Sequence, residues 1–219
     1  MKKLVGMLLG LTLLTLCYSC EKWFNKEEDP GVLNGDQSPM GGVGVTVESS
    51  SVEIAGISNC NASVISLNDG ISSYSGSATV KNEFLKNLVA NIPGISINGD
   101  PVSASNIQFK LTSEGFECKT GPGAGVMVKY GSDIGDTYPI GSTGKVRTVV
   151  AKTGVDDYPY GFMLIKVIEV EETPSYLKNS AGVSKVTYIA NHKYGLVGVK
   201  VAFGDGSDAT FPIYTSTQN

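Results

Sequence analysis

From residue 43 onward, apolar side chains recur at every second position in short runs, the period of a strand with one face buried. Val43, Val45 and Val47 form the first run, Val52 and Ile54 a second, and Val64, Ile65 and Leu67 a third, ended by the turn residues Asn68, Asp69 and Gly70. Residues 95–102 cross Asn98, Gly99 and Asp100, a hairpin signal. Further strands are predicted over 107–112, 116–119, 125–130, 145–152, 162–170, 184–190, 196–203 and 209–214. Residues 162–168 are apolar on both faces apart from Lys166, as in a central strand, and 184–214 read as a terminal meander. One segment has the helical period: in residues 79–91, Val80, Phe84, Leu85, Leu88 and Val89 fall on one face, and Lys81, Asn82, Lys86 and Asn87 on the other. Pro93 and Gly94 stop it. The pattern predicts a mostly β fold, an antiparallel β-sandwich or partly open barrel with one short helix.

Two segments echo each other. Residues 125–140 and 198–213 share Gly, Val, Val, Gly, Thr, Pro and Ile at matching positions, with Tyr130 and Tyr138 answered by Phe203 and Phe211. Each reads as a strand, a Gly/Asp turn and a second strand ending in aromatic-Pro-Ile, so 43–219 is one β-rich domain that could hold two related β units. Pro139 and Pro212 lack the N–H a ladder needs and belong at strand ends or edges.

The first twenty residues follow a different rule. Lys2 and Lys3 precede an apolar run over 4–16, too short for the roughly 20 residues that span a bilayer as a helix. Leu16, Cys17, Tyr18 and Ser19 then lead into Cys20 and a polar stretch. This resembles the lipobox of bacterial lipoproteins, with Cys17 where the family has an apolar residue three before the lipidated cysteine. The resemblance implies a signal peptide over 1–19 and a fatty-acylated, palmitate-type anchor at Cys20. Lys26, Glu27, Glu28 and Asp29 are similar to the acidic tag of Bacteroidetes surface lipoproteins, a few residues displaced. That implies an outer-membrane protein facing outward, with the periplasmic face as the alternative, and Trp23 and Phe24 could rest among headgroups. Residues 20–42, rich in Gly, Pro and Asn, are predicted as a lipidated flexible tether.

Without its signal the chain keeps 15 basic against 21 acidic residues, so no electrostatic ground exists for nucleic-acid binding. Cys60 and Cys118 are the cysteines left to the domain, and an oxidising envelope leaves two readings open, a disulfide or separate buried thiols. Two cysteines and one histidine make no zinc site. His192 stands apart from any nucleophile elbow, and pairing it with Met127 or Met163 would be the sole haem-like set. Gly141 to Lys145 resembles the end of a phosphate loop, but Val146 stands where Ser or Thr would meet magnesium. Gly121, Gly123 and Gly125 lack dinucleotide spacing. Asp133 with Asp136, and Asp205 with Asp208, are too sparse for a calcium loop, and the adjacent Asp156 and Asp157 do not face each other across a sugar.

The sequence therefore points to no catalysis, cofactor or metal. An aromatic residue precedes proline at Tyr138, Tyr158 and Phe211, and with Tyr160 these form a candidate ligand-binding rim. The expected function is a non-catalytic ligand-binding or adhesion domain, with glycans or another envelope protein as partners. The alternative is a structural or accessory subunit of an envelope transport or fimbrial complex.

Overall fold

A computed structural model describes residues 29–90, 92–176 and 182–216. The expected signal peptide, the lipid site at Cys20 and residues 21–28 lie outside the described residues. The fold is mostly β, as the alternation requires, with antiparallel pairing throughout. No helix among the described residues is long and apolar enough to cross a membrane.

The chain first builds one curled sheet from β1 (Thr46–Glu48), β2 (Ile57–Asn68), β3 (Ile71–Val80), β4 (Ile95–Ile97), β5 (Pro101–Thr112), β6 (Gly115–Cys118) and β7 (Gly125–Lys129). The helix α1 (Glu83–Val89) links β3 to β4. The second sheet starts with β8 (Thr137–Pro139) and β9 (Val146–Lys152). A separate hairpin, β10 (Tyr158–Tyr160) and β11 (Met163–Ile165), leads into β12 (Ile168–Glu172), β13 (Val183–Asn191), β14 (Gly195–Phe203) and β15 (Asp208–Pro212). Finally β16 (Tyr214–Ser216) returns to the first sheet beside β1. The strand orders are β16-β1-β2-β3-β5-β6-β7, with β4 also on β5, and β15-β14-β13-β12-β9-β8. The two sheets face each other. Pro139 and Pro212 end the edge strands β8 and β15, where a missing N–H costs no ladder bond.

Several expectations are corrected. The helix begins four residues late, because Asn82 caps it, its side chain accepting from Leu85 N, while Thr79 and Val80 still pair within β3. The strand expected over 162–170 is split. Met163–Ile165 belongs to the two-stranded hairpin, whose tip carries a fully exposed Phe162 after Gly161 at φ +59°, and the central strand is Ile168–Glu172. The two echoing segments differ in role. Residues 198–213 hold a true hairpin, β14 on β15, whereas β7 pairs with β6 and β8 with β9, so residues 125–140 carry the chain from one sheet to the other.

The tether was expected to reach residue 42, yet from Asp29 onward the chain lies against the first sheet. Leu33 and Met40 are buried, Ser38 N donates to Leu111 O, Ser113 N donates to Asp36 O, and Lys110 Nζ donates to Leu33 O at 2.6 Å. Two well-spaced apolar side chains and the open end of β5 are enough to dock a Gly- and Pro-rich segment. Cys60 and Cys118 are both free thiols. Cys118 is opposite Phe109, Phe109 opposite Ser72, and Ser72 opposite Leu67, so it aligns with the far end of β2 from Cys60.

Candidate functional site

The inward face of the curled sheet holds a row of directly opposed residues: Thr215 on β16, Val47 on β1, Ala62 on β2, Gly76 on β3 and Ala104 on β5. Facing residues of a sandwich normally interdigitate and fill the space between the sheets. This row is too small to do so. A Cβ at Gly76 would run into the carbonyl oxygen of Asn61, so glycine also permits the close approach of β2 where the sheet curls. Register shifts flank the position on both neighbouring strands.

The result is a cavity of about 370 Å³ between the sheets. All five row residues line it. Tyr74, Phe109, Phe116 and Met127 continue the wall from the first sheet, and Tyr188 and Leu196 oppose them from the second. The hydrophobic core is correspondingly divided. One cluster, around Val126, Val128, Val149 and Val170, lies toward β7 and β9, and another, around Leu85, Val102, Val201 and Phe203, lies beneath α1. Phe109, Leu111 and Leu196 remain only partly buried in the molecule's interior, because they border open space instead of each other.

The lining carries no charged residue, and four of its five hydroxyl groups, all but that of Thr215, are committed elsewhere. Tyr74 donates to Met40 O at 3.3 Å, Ser75 to Ala104 O at 3.1 Å, Tyr188 to Glu172 Oε1 at 2.7 Å and Tyr194 to Met163 Sδ at 3.3 Å. Burial pushes the Tyr74 phenol up to about 12. The cavity therefore offers shape and dispersion, and few hydrogen bonds.

Behind Tyr188 lies a buried polar cluster that the sequence did not announce. Arg147 is 1% exposed, and its Nε stands 2.7 Å from Glu172 Oε2 in a close ion pair not aligned as a hydrogen bond. The guanidinium also donates to Gly123 O at 2.6 Å and Val126 O at 3.1 Å, while Tyr176 and Tyr188 both donate to Glu172 Oε1. Burial is the largest single influence on Arg147 and opposes its charge, but the combined pull of Glu172, Tyr188, Tyr176 and Cys118 outweighs it and the pKa is raised. Burial also holds the Tyr188 phenol well above its ordinary value. This cluster ties β9, β12 and β13 to the loop before β7 and is a structural clamp. The glycines 121–125, unsuited to a dinucleotide, let that loop wrap the guanidinium.

The expected aromatic rim is not assembled. Tyr138 is 1% exposed within the first core cluster, Phe211 is buried under α1, and Tyr158 and Tyr160 belong to a third cluster between the hairpin and the outer side of β13 and β14. On an edge strand proline faces outward, so alternation turns the aromatic residue before it inward. Tyr160 stacks obliquely on Tyr194 and Tyr214 at 5.0 and 5.4 Å. His192 is exposed on the β13–β14 turn, whereas Met127 is buried. Among the acidic pairs, Asp136 accepts from Asp133 N, and Asp205 accepts from Ser207 N and Oγ, which lowers its pKa. They are turn caps. Among the described residues no three His, Cys, Asp or Glu side chains gather as a metal site. No protein-family model, curated protein or solved structure matches the chain.

Proposed function

We propose that the chain is a lipoprotein, anchored through Cys20 on the outer membrane and facing outward, whose β domain binds a small apolar ligand without catalysing its conversion. The observation that carries the binding half is the apolar cavity of about 370 Å³. Its size falls within the range of about 300–1,000 Å³ occupied by ligand sites. At about 24 cal/mol per Å³, leaving such a volume open instead of filling it forgoes several kcal/mol, a large share of a domain's net stability. A row of Ala, Gly and Ala on three adjacent strands is a simple way to keep that space open. The absence of charged groups from its lining supports binding over chemistry.

The binding test is fluorescence titration of the mature chain, carrying Cys20→Ser and purified without detergent, with the apolar probe 1-aminoanthracene. Saturable binding is expected, weakened at least tenfold in Ala104→Phe, while a wild-type protein that leaves the probe in water sinks the reading. The anchor is tested by metabolic labelling with an alkynyl palmitate. Label retained in Cys20→Ala would remove the anchor from the proposal, and protection from external protease would place the domain on the periplasmic face.

The accessory-subunit reading keeps one observation in its favour. The β10–β11 hairpin displays Phe162, Met163 and Leu164 together in solvent, an apolar tip of the kind that docks on a partner protein. An envelope protein that co-purifies with the wild type and is lost from Phe162→Ser would favour it.

A further inference from the structure

We infer that the ligand is a single unbranched hydrocarbon chain, lying across the strands of the curled sheet along the row Thr215, Val47, Ala62, Gly76 and Ala104. This rests on the reading of the cavity as a ligand site. Adjacent strands stand about 4.8 Å apart, so five of them span at most about 19 Å. All five residues of the row line the cavity of about 370 Å³, so the space runs across the strands as an elongated bore, a shape that suits an extended alkyl chain better than a compact guest.

The walls agree with a flexible chain and not with a flat ring system. Tyr74 and Phe109 meet edge to face, at 89° with centroids 5.5 Å apart, so they form no parallel slot for a planar guest. Val47, Leu111, Leu196 and Ile213 supply the aliphatic contacts of the bore. Because Tyr74, Ser75, Tyr188 and Tyr194 already direct their hydroxyl protons elsewhere, a carboxylate or phosphate carried deep into the cavity would lose its water without gaining a donor. The polar end of the ligand is thus left at the rim. Thr215, the one hydroxyl in the row, lies half-buried on β16, the edge strand of its sheet, and marks that end. The shared chemistry is an acyl chain, whether from a free fatty acid or from a single-chain lipid.

The test is displacement of 1-aminoanthracene from the mature Cys20→Ser chain by saturated fatty acids from octanoic to stearic acid, by lysophosphatidylcholine with a palmitoyl chain, and by pyrene. Each added methylene is expected to tighten binding about fourfold, the equivalent of about 0.8 kcal/mol, until the chain outgrows the bore and affinity levels off. Ala104→Leu, which shortens the row at one end, is expected to move that plateau to shorter acids, and the milder Ala62→Val to narrow the bore and weaken all of them. Tighter displacement by the lysolipid than by palmitic acid would assign the chain to a membrane lipid, and the reverse to a free acid; either supports the inference. Affinities independent of chain length, or pyrene as tight as palmitic acid, would overturn it while leaving an apolar ligand site intact. Failure of 1-aminoanthracene itself to bind is a different result and removes the site.

Discussion

At the residue scale the most consequential contact is the Arg147–Glu172 pair, because both charges are almost wholly out of water. Removing one partner strands the other, which costs about 3–5 kcal/mol, whereas replacing both with apolar groups of similar volume is far milder. Glu172→Ala is therefore expected to lower the urea midpoint sharply, and Arg147→Met with Glu172→Leu to recover most of the loss. Equal midpoints for the single and double variants would show that the charges are not coupled. The two cysteines make a second prediction. Burial pushes both thiols above their ordinary pKa, and the thiolate is the reactive form. Ellman's reagent at mildly alkaline pH should titrate Cys60 and Cys118 slowly in the native protein and at once in urea. Neither side chain's role was legible beforehand, since a lone arginine on an alternating strand looks the same in sequence whether it faces water or a buried glutamate.

Among the elements, α1 and β3 show how local signals compete. Helical spacing from Val80 onward is real, but Val80 also ends β3 and is buried among Leu85, Leu88 and Val102. Asn82 decides the boundary by accepting from Leu85 N at 3.2 Å. In a helix of two turns that cap is a large fraction of the stability, and Asn82→Ala is expected to cost about 1 kcal/mol, read from thermal or urea unfolding. Strand β3, with the sequence ISSYSGSATV, was not foreseen at all. Serine and glycine dilute its alternation, and the same small residues create the cavity. Gly76→Ala places a Cβ against the Asn61 carbonyl, so this exchange should destabilise by about 1–3 kcal/mol, more than Gly154→Ala, where a Cβ meets nothing within 4 Å.

For the molecule as a whole, the buried tyrosines give stability a pH profile. Burial raises the pKa of Tyr130, Tyr176 and Tyr188, and takes Tyr74 to about 12. In the unfolded chain the same phenols ionise near pH 10. Below that value both states hold the protons and these groups add no pH dependence. Above it the unfolded chain binds fewer protons than the native one, and stability falls as pH rises. Urea midpoints should stay level up to about pH 10 and then decline, while the phenolate absorbance of the native protein falls short of the signal that the unfolded chain gives at the same pH. A full phenolate signal at pH 10.5 to 11, with the fold retained, would place these rings in water.

Two-residue alternation, frequent turn residues and sparse helix formers were enough to determine an antiparallel β fold, the terminal meander and the prolines at edge strands, because each depends on spacing within one short segment. The assignment of β7 and β8 to different sheets, the docking of residues 29–42 and the separation of Cys60 from Cys118 depend on which strands become neighbours. Only the tertiary structure decides that. The cavity lies furthest from sequence: Val47, Ala62, Gly76, Ala104 and Thr215 are scattered over 169 positions and are unremarkable singly. Pairing five strands in one register brings their small side chains into line, and that alignment is what leaves space for a ligand.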